Sequence, residues 1–189
     1  MEITMKLYYG VLAVVCITLG LLIAYNKTEA DENMKLESSA FKHNEKIPTE
    51  YTQEGENVSP QLSWNGQPNK THSFVIFAED PDAPSAKNPA PKAYVHWVAF
   101  NIPANVHKLD KGAAIHALGG KEGKNSSGST GYVGPKPPLN SGPHRYFFHV
   151  FALDKMLDLH AGVTKDEVQN AMKHHILAQG ELIGIYEIK

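Results

Sequence analysis

Three runs of β-branched and aromatic residues constrain this chain more than any other feature. Residues 73–79 (SFVIFAE), 94–102 (YVHWVAFNI) and 145–153 (RYFFHVFAL) are almost continuously apolar. Each has the length and composition of a strand, and the lack of polar alternation marks strands covered on both faces. Long Pro/Gly-rich loops, residues 80–92 and 119–144, lie between them. Loops of that length in a compact domain tend to carry function. One helix is signalled. Thr164-Lys165-Asp166-Glu167 is a capping box, Val168, Met172 and His175/Ile176 follow at helical spacing, and Gly180 is its expected stop. A last strand is expected over residues 182–188. Many strands and one late helix predict a mostly β fold: a β-sandwich-like domain of two antiparallel sheets with a few peripheral helices.

The N-terminal end has a different character. Residues 7–25 read LYYGVLAVVCITLGLLIAY and contain no charge. At about 1.5 Å per residue they give roughly 28 Å of helix, close to a hydrocarbon core of about 30 Å. Residues 1–25 therefore read as an N-terminal hydrophobic helix, an uncleaved signal anchor in preference to a cleaved signal peptide. Thr28-Glu29-Ala30 is a poor cleavage site. A lipoprotein reading of Cys16 lacks a small residue before it, since Val15 stands there, and a buried core helix is the remaining alternative. Translation starts at Met1 or Met5. Residues 26–36 (NKTEADENMKL) read as a polar tether and residues 37–189 as the folded domain. This organisation predicts a domain outside the cytosol, periplasmic or extracellular, held by one helix or secreted after cleavage. Cys16 is the chain's one cysteine, so the folded domain has neither a disulfide nor a thiol nucleophile. The formal net charge of −2 argues against general nucleic-acid binding.

Chemistry-bearing residues gather at the strand ends. Asp80-Pro81-Asp82-Ala83-Pro84 follows the first run, and its prolines hold both carboxylates on a stiff turn. The plain alternative is a rigid turn with solvated aspartates. His96 lies inside the second run, where strict alternation groups it with Val98 and Phe100, and sets Val95, Trp97 and Ala99 on the opposite face. A strand histidine of this kind is more often a satisfied core residue than a ligand. His144, Tyr146 and Phe148 share one face of the third run, Arg145, Phe147 and His149 the other, so His144 and His149 cannot serve one pocket. Arg145 needs a partner, and an aspartate of the Asp-Pro-Asp turn is the natural candidate, in a structural role. Gly131 to Pro138 (GYVGPKPP) is a stiff loop whose glycines permit backbone N–H groups to face an anion. Imidazole donors and backbone amides together suit a phosphate or carboxylate group. If both imidazoles donate, binding strengthens below about pH 6.5. The chain carries no Gly-x-Ser-x-Gly, His-Glu-x-x-His, P-loop or dinucleotide fingerprint.

At these residues the chain resembles the phosphatidylethanolamine-binding protein family, in particular its bacterial Raf-kinase-inhibitor-like branch. The resemblance runs from about Phe41 to Tyr186. It takes in Asn57-Val58-Ser59-Pro60 with Leu62-Ser63-Trp64, the Asp80-to-Pro84 turn, His96-Trp97, and Asn101-Ile102-Pro103. It continues through Gly131-Tyr132, Gly134 to Pro138, Pro143-His144-Arg145-Tyr146 and His175-Ile176-Leu177-Ala178. It implies a small surface pocket for anions formed by Asp80, Asp82, Tyr94, His96, Gly134, Pro137, Pro138, His144 and Tyr146. Tyr94 stands where some members have tryptophan, Lys136 where a small residue is common, and Leu139-Asn140 in place of a glycine-containing pair.

The expected function is non-enzymatic binding of phosphate-type anions or phospholipid head groups by a membrane-attached or exported domain, without cofactor or metal. The membrane is met through residues 7–25. Inhibition or regulation of a kinase or protease is the second reading, implied by the resemblance alone. A metal-dependent hydrolase using the two histidines and two aspartates is the third.

Overall fold

The three apolar runs form the centre of one sheet. The computed structural model describes residues 32–189, so the expected helix over residues 7–25 and the first part of the tether lie outside the described residues. The strands are β1 (Glu32–Asn33), β2 (Lys35–Glu37), β3 (Glu45–Lys46), β4 (Leu62–Asn65), β5 (Ser73–Asp80), β6 (Tyr94–Pro103), β7 (Lys108–Leu109), β8 (Lys121–Glu122), β9 (His144–Leu153) and β10 (Ile176–Tyr186). One α-helix, α1 (Lys165–Met172), and two 3-10 turns, Thr49–Tyr51 and Ile115–Leu118, complete the described elements. The large sheet runs β1-β10-β9-β5-β6-β8, with β3 also paired to β10, and the small sheet runs β2-β4-β7. The small sheet is antiparallel, as expected. The large one is mixed, because β1 and β3 both run parallel to β10. That corrects the expectation of two antiparallel sheets. The two short parallel strands come from the N-terminal segment, which crosses the edge of β10 twice.

Burial explains why the central runs lack alternation. One face of the large sheet (Phe74, Ile76, Trp97, Tyr146, Phe148, Val150) shares a core with Leu36, Leu62, Trp64 and Leu109 of the small sheet. The other face (Val75, Phe77, Val98, Phe100) packs on Leu157, Val163, Val168 and Met172, the last two from α1. Each such side chain adds about 1.5–3 kcal/mol of burial.

Three sequence expectations need correction here. The capping box forms, Glu167 N–H donating to Thr164 Oγ1 at 3.3 Å and Thr164 N–H to Glu167 Oε2 at 2.7 Å. The helix nevertheless ends at Met172, and His174 takes φ 68°. From Ile176 the chain pairs with β9, so the last strand is Ile176–Tyr186 and not residues 182–188. Gly180 is no helix stop. It lies mid-strand, where an added Cβ would press on the Met34 carbonyl oxygen. The end of the expected tether, residues 32–36, is also ordered into strands: Met34 N–H donates to Gln179 O at 2.7 Å, and Met34 and Leu36 are buried. No helix among the described residues is long and apolar enough to cross a membrane.

Candidate functional site

A cavity of about 250 Å³ opens where β5, β6 and β9 meet the 131–138 loop. Asp80, Tyr94, His96, Pro137, Pro138, His144 and Tyr146 line it, joined by Gln53, Ala83, Pro84 and Lys136. A larger groove of about 480 Å³ between β2 and β10 is walled by buried apolar Met34, Leu36, Phe41 and Leu182, and its charged side chains, Lys35, Glu37, Lys42 and Glu181, are all exposed. The smaller cavity is where buried titratable groups converge, and that makes it the candidate site.

His96 reaches the cavity through a β-bulge. Ala78 pairs with Trp97, but the next residue, Glu79, pairs with Val95, so His96 is the extra residue. Strict alternation therefore fails. Val95, Val98 and Phe100 lie on the helix-covered face, while His96 turns with Trp97 and Ala99 to the other. There its ring meets Tyr94 at 4.8 Å and Tyr146, edge-on, at 5.2 Å. The 131–138 loop clamps it twice. Val133 N–H donates to His96 O at 2.9 Å, and His96 Nδ1–H donates to Val133 O at 2.6 Å. Burial lowers the His96 pKa below the ordinary histidine value, although the Val133 carbonyl and the Asp80 charge pull the other way. The ring is thus neutral at pH 7, with Nδ1 as its protonated nitrogen.

His144 is fully buried, and its Nδ1–H donates to Asp80 Oδ2 at 2.7 Å. Its Nε2 lies 3.0 Å from Ser141 Oγ, whose hydroxyl donates to it in the neutral ring. Asp80 Oδ1 accepts the Asp82 N–H at 2.8 Å. This Asx-type turn places the Asp80 carboxylate at the end of β5. Burial, and then the Asp80 charge, raise the Tyr146 pKa, so its hydroxyl stays a neutral donor.

Two expected residues do not line the cavity. Asp82 accepts three bonds from Arg145, from N, Nε and Nη2, each at 2.9 Å. This is the structural pair expected from the Asp-Pro-Asp turn, and Arg145 holds the Asp82 carboxyl below its usual pKa. Gly134 packs behind the wall. Its N–H donates to Asn57 Oδ1 at 2.8 Å, and an added Cβ would overlap the Tyr51 carbonyl oxygen. Where the loop meets the cavity its backbone offers no glycine N–H to an anion: the Gly134 N–H is spoken for, and Pro135, Pro137 and Pro138 have none. Gln53, which no motif marks, is brought in by this same contact, donating from Nε2 to Gly134 O at 2.9 Å. Ala83 and Pro84 belong to the quoted turn but were not expected in the wall. Among the described residues no group of three His, Cys, Asp or Glu is placed to hold a metal ion.

The model of one family, "Phosphatidylethanolamine-binding protein", matches residues 37–187, a span that contains every cavity-lining residue. The chain belongs to the phosphatidylethanolamine-binding protein family. Relatives occur in archaea and bacteria. A UPF0098 protein of Methanothermobacter thermautotrophicus is 45% identical over 156 residues, covering 81% of this chain and 98% of its own. The crystal structure of a family homolog from Chlamydia trachomatis is 37% identical, with TM-score 0.76, over 84% of this chain and all (100%) of the other. YbcL of E. coli, described as a new member of the mammalian family, is 31% identical with TM-score 0.74 over 83% of this chain and 99% of its own.

Proposed function

We propose that this family member is a non-enzymatic binding protein for phosphate-type groups, and that the His96–His144–Asp80 cavity is its ligand site. The convergence of two tautomer-fixed imidazoles, one buried carboxylate and two tyrosine hydroxyls carries the reading. Such a set orients a small polar ligand inside a largely pre-formed pocket. The family name and the cavity size support a phosphoryl group, free or as a lipid head group. The apolar segment of residues 7–25 supports attachment to a membrane, or export, with the domain outside the cytosol. A kinase or protease partner is the second reading, and it rests on family membership.

The test is titration with phosphoethanolamine and inorganic phosphate, followed by histidine NMR. The His96 and His144 ring signals are expected to move, and those of exposed His43 and His116 to stay. Ring signals of His96 and His144 that stay fixed from pH 5.5 to 8.5 would overturn the proposal.

A further inference from the structure

The proton inventory of the cavity is more restrictive than its residue list. His96 gives its Nδ1 proton to Val133 O, so the neutral ring faces the cavity with an Nε2 lone pair that no protein group bonds among the described residues. His144 gives its Nδ1 proton to Asp80, and its Nε2 takes the Ser141 hydroxyl. Asp80 is a buried acceptor, with 4% of its side chain exposed. The Gly134 N–H is taken, and the proline walls have no N–H. The donors left to meet negative oxygens include the Tyr94 hydroxyl, the Tyr146 hydroxyl (shared with Asp80), the second N–H of Gln53 Nε2 and, at the rim, exposed Lys136. The inner wall thus asks for a donor on the ligand, while the outer wall accepts an anion.

We propose that this pocket selects a singly protonated phosphoryl group, the P–O–H donating to His96 Nε2, and so prefers phosphate monoesters and inorganic phosphate to phosphodiesters. This rests on the phosphate-binding reading. A dianionic phosphoryl group would set bare oxygens against an imidazole lone pair and the Asp80 carboxylate, each an acceptor. A diester carries one negative charge but no P–O–H to offer. A monoester, with its second pKa near 6, brings the proton itself at pH 6 and below. At pH 8 neither the monoester nor His96 carries that proton, so binding draws one from buffer and leaves it shared between Nε2 and a phosphoryl oxygen. The titratable and charged groups around His96 are Tyr94 on its own strand, Asp80 from β5, His144 and Tyr146 from β9, and Lys136 from the loop. Burial holds His96 neutral, which sets the direction of proton flow.

Methyl phosphate and dimethyl phosphate form the matched probe pair, differing by the one methyl that caps the donor. With the full-length protein, calorimetry at pH 6 is expected to show methyl phosphate bound at least about tenfold tighter. At pH 8, methyl phosphate titrated in two buffers of different ionisation enthalpy is expected to show uptake of about one proton per ligand. In His96→Gln the side-chain amide supplies an N–H donor, and the preference is expected to fall toward unity. Equal affinity for the two probes in the wild-type protein, with no proton uptake at pH 8, overturns the selection while leaving phosphate binding in place. Absence of binding by inorganic phosphate and both probes at every pH overturns the function itself. The wild-type pair decides the matter even if His96→Gln fails to fold.

Discussion

Asp80 does two jobs with one carboxylate. Oδ1 fixes the turn through Asp82 N–H, and Oδ2 fixes the tautomer of fully buried His144. In Asp80→Asn the amide can still accept the Asp82 N–H, but then its NH₂ faces the protonated Nδ1. The ring must move its proton to Nε2 or leave a buried donor unpaired, a cost of about 1–3 kcal/mol. Chemical denaturation is expected to show that loss, with phosphate affinity down at least about tenfold through misplacement of His144. Near-wild-type binding in a folded Asp80→Asn protein would show that Asp80 serves the turn alone. His96 gives a second prediction at this scale. Burial lowers its folded pKa below the unfolded value, so between the two pKa values the unfolded chain binds more protons. The contribution of neutral His96 to stability is therefore complete above about pH 6.5 and is lost as pH falls through the folded pKa. Half-buried His149, also lowered by burial, acts in the same sense. Urea midpoints measured from pH 7.5 to 5 should fall for the wild type and fall less for His96→Gln. Identical slopes would mean that His96 is not held neutral.

Each element shows a different degree of legibility. The three central strands stood out because both of their faces are buried, and continuous apolar sequence is the signature of that environment. The face of His96 was not legible. A bulge is a property of the pairing between β5 and β6, and it inverts the alternation on one side without leaving a mark in either strand. The role of Gly134 is hidden from the sequence for a related reason. Glycine there answers a tertiary contact, the close approach of the segment carrying Tyr51, Gln53 and Asn57, and that segment lies some 80 positions away (|i−j| of 81 for Gln53). Gly180 repeats the lesson against Met34. The Arg145–Asp82 pair was legible because charge in an apolar setting demands a partner, and the stiff turn was the nearest source. Gly134→Ala tests the loop's role directly. The added methyl must displace the Tyr51–Asn57 segment or the loop, a strain of about 1–3 kcal/mol. The melting temperature is expected to fall, and the His96 ring signals to shift, since Val133 holds His96 by its backbone carbonyl and by its ring Nδ1–H. A drop in stability with unmoved His96 signals would separate the clamp from the packing.

At the scale of the molecule, the family match begins at residue 37, yet the folded unit extends to its N-terminal side. Residues 32–36 hold β1 against Ala178 and Gln179 of β10 and start β2 against β4. They bury Met34 (4% exposed) and Leu36 (5%) in the core that joins the two sheets. Full burial of two such side chains is worth about 3–6 kcal/mol as an upper bound. That is a large share of an ordinary domain's stability of about 5–15 kcal/mol. A chain beginning at residue 31 should keep the urea midpoint of the longer protein, and one beginning at residue 38 should lose a large part of it. The cavity is at the other end of the sheet. His144 pairs with Tyr186, whereas Ala178 pairs with Ala152, eight positions further along β9. Where both shortened chains remain folded, phosphate affinity should be the same, because the edge strands support the site only through global stability. A selective loss of affinity in the shorter chain at a temperature where it is fully folded would instead mean that the N-terminal strands position the pocket.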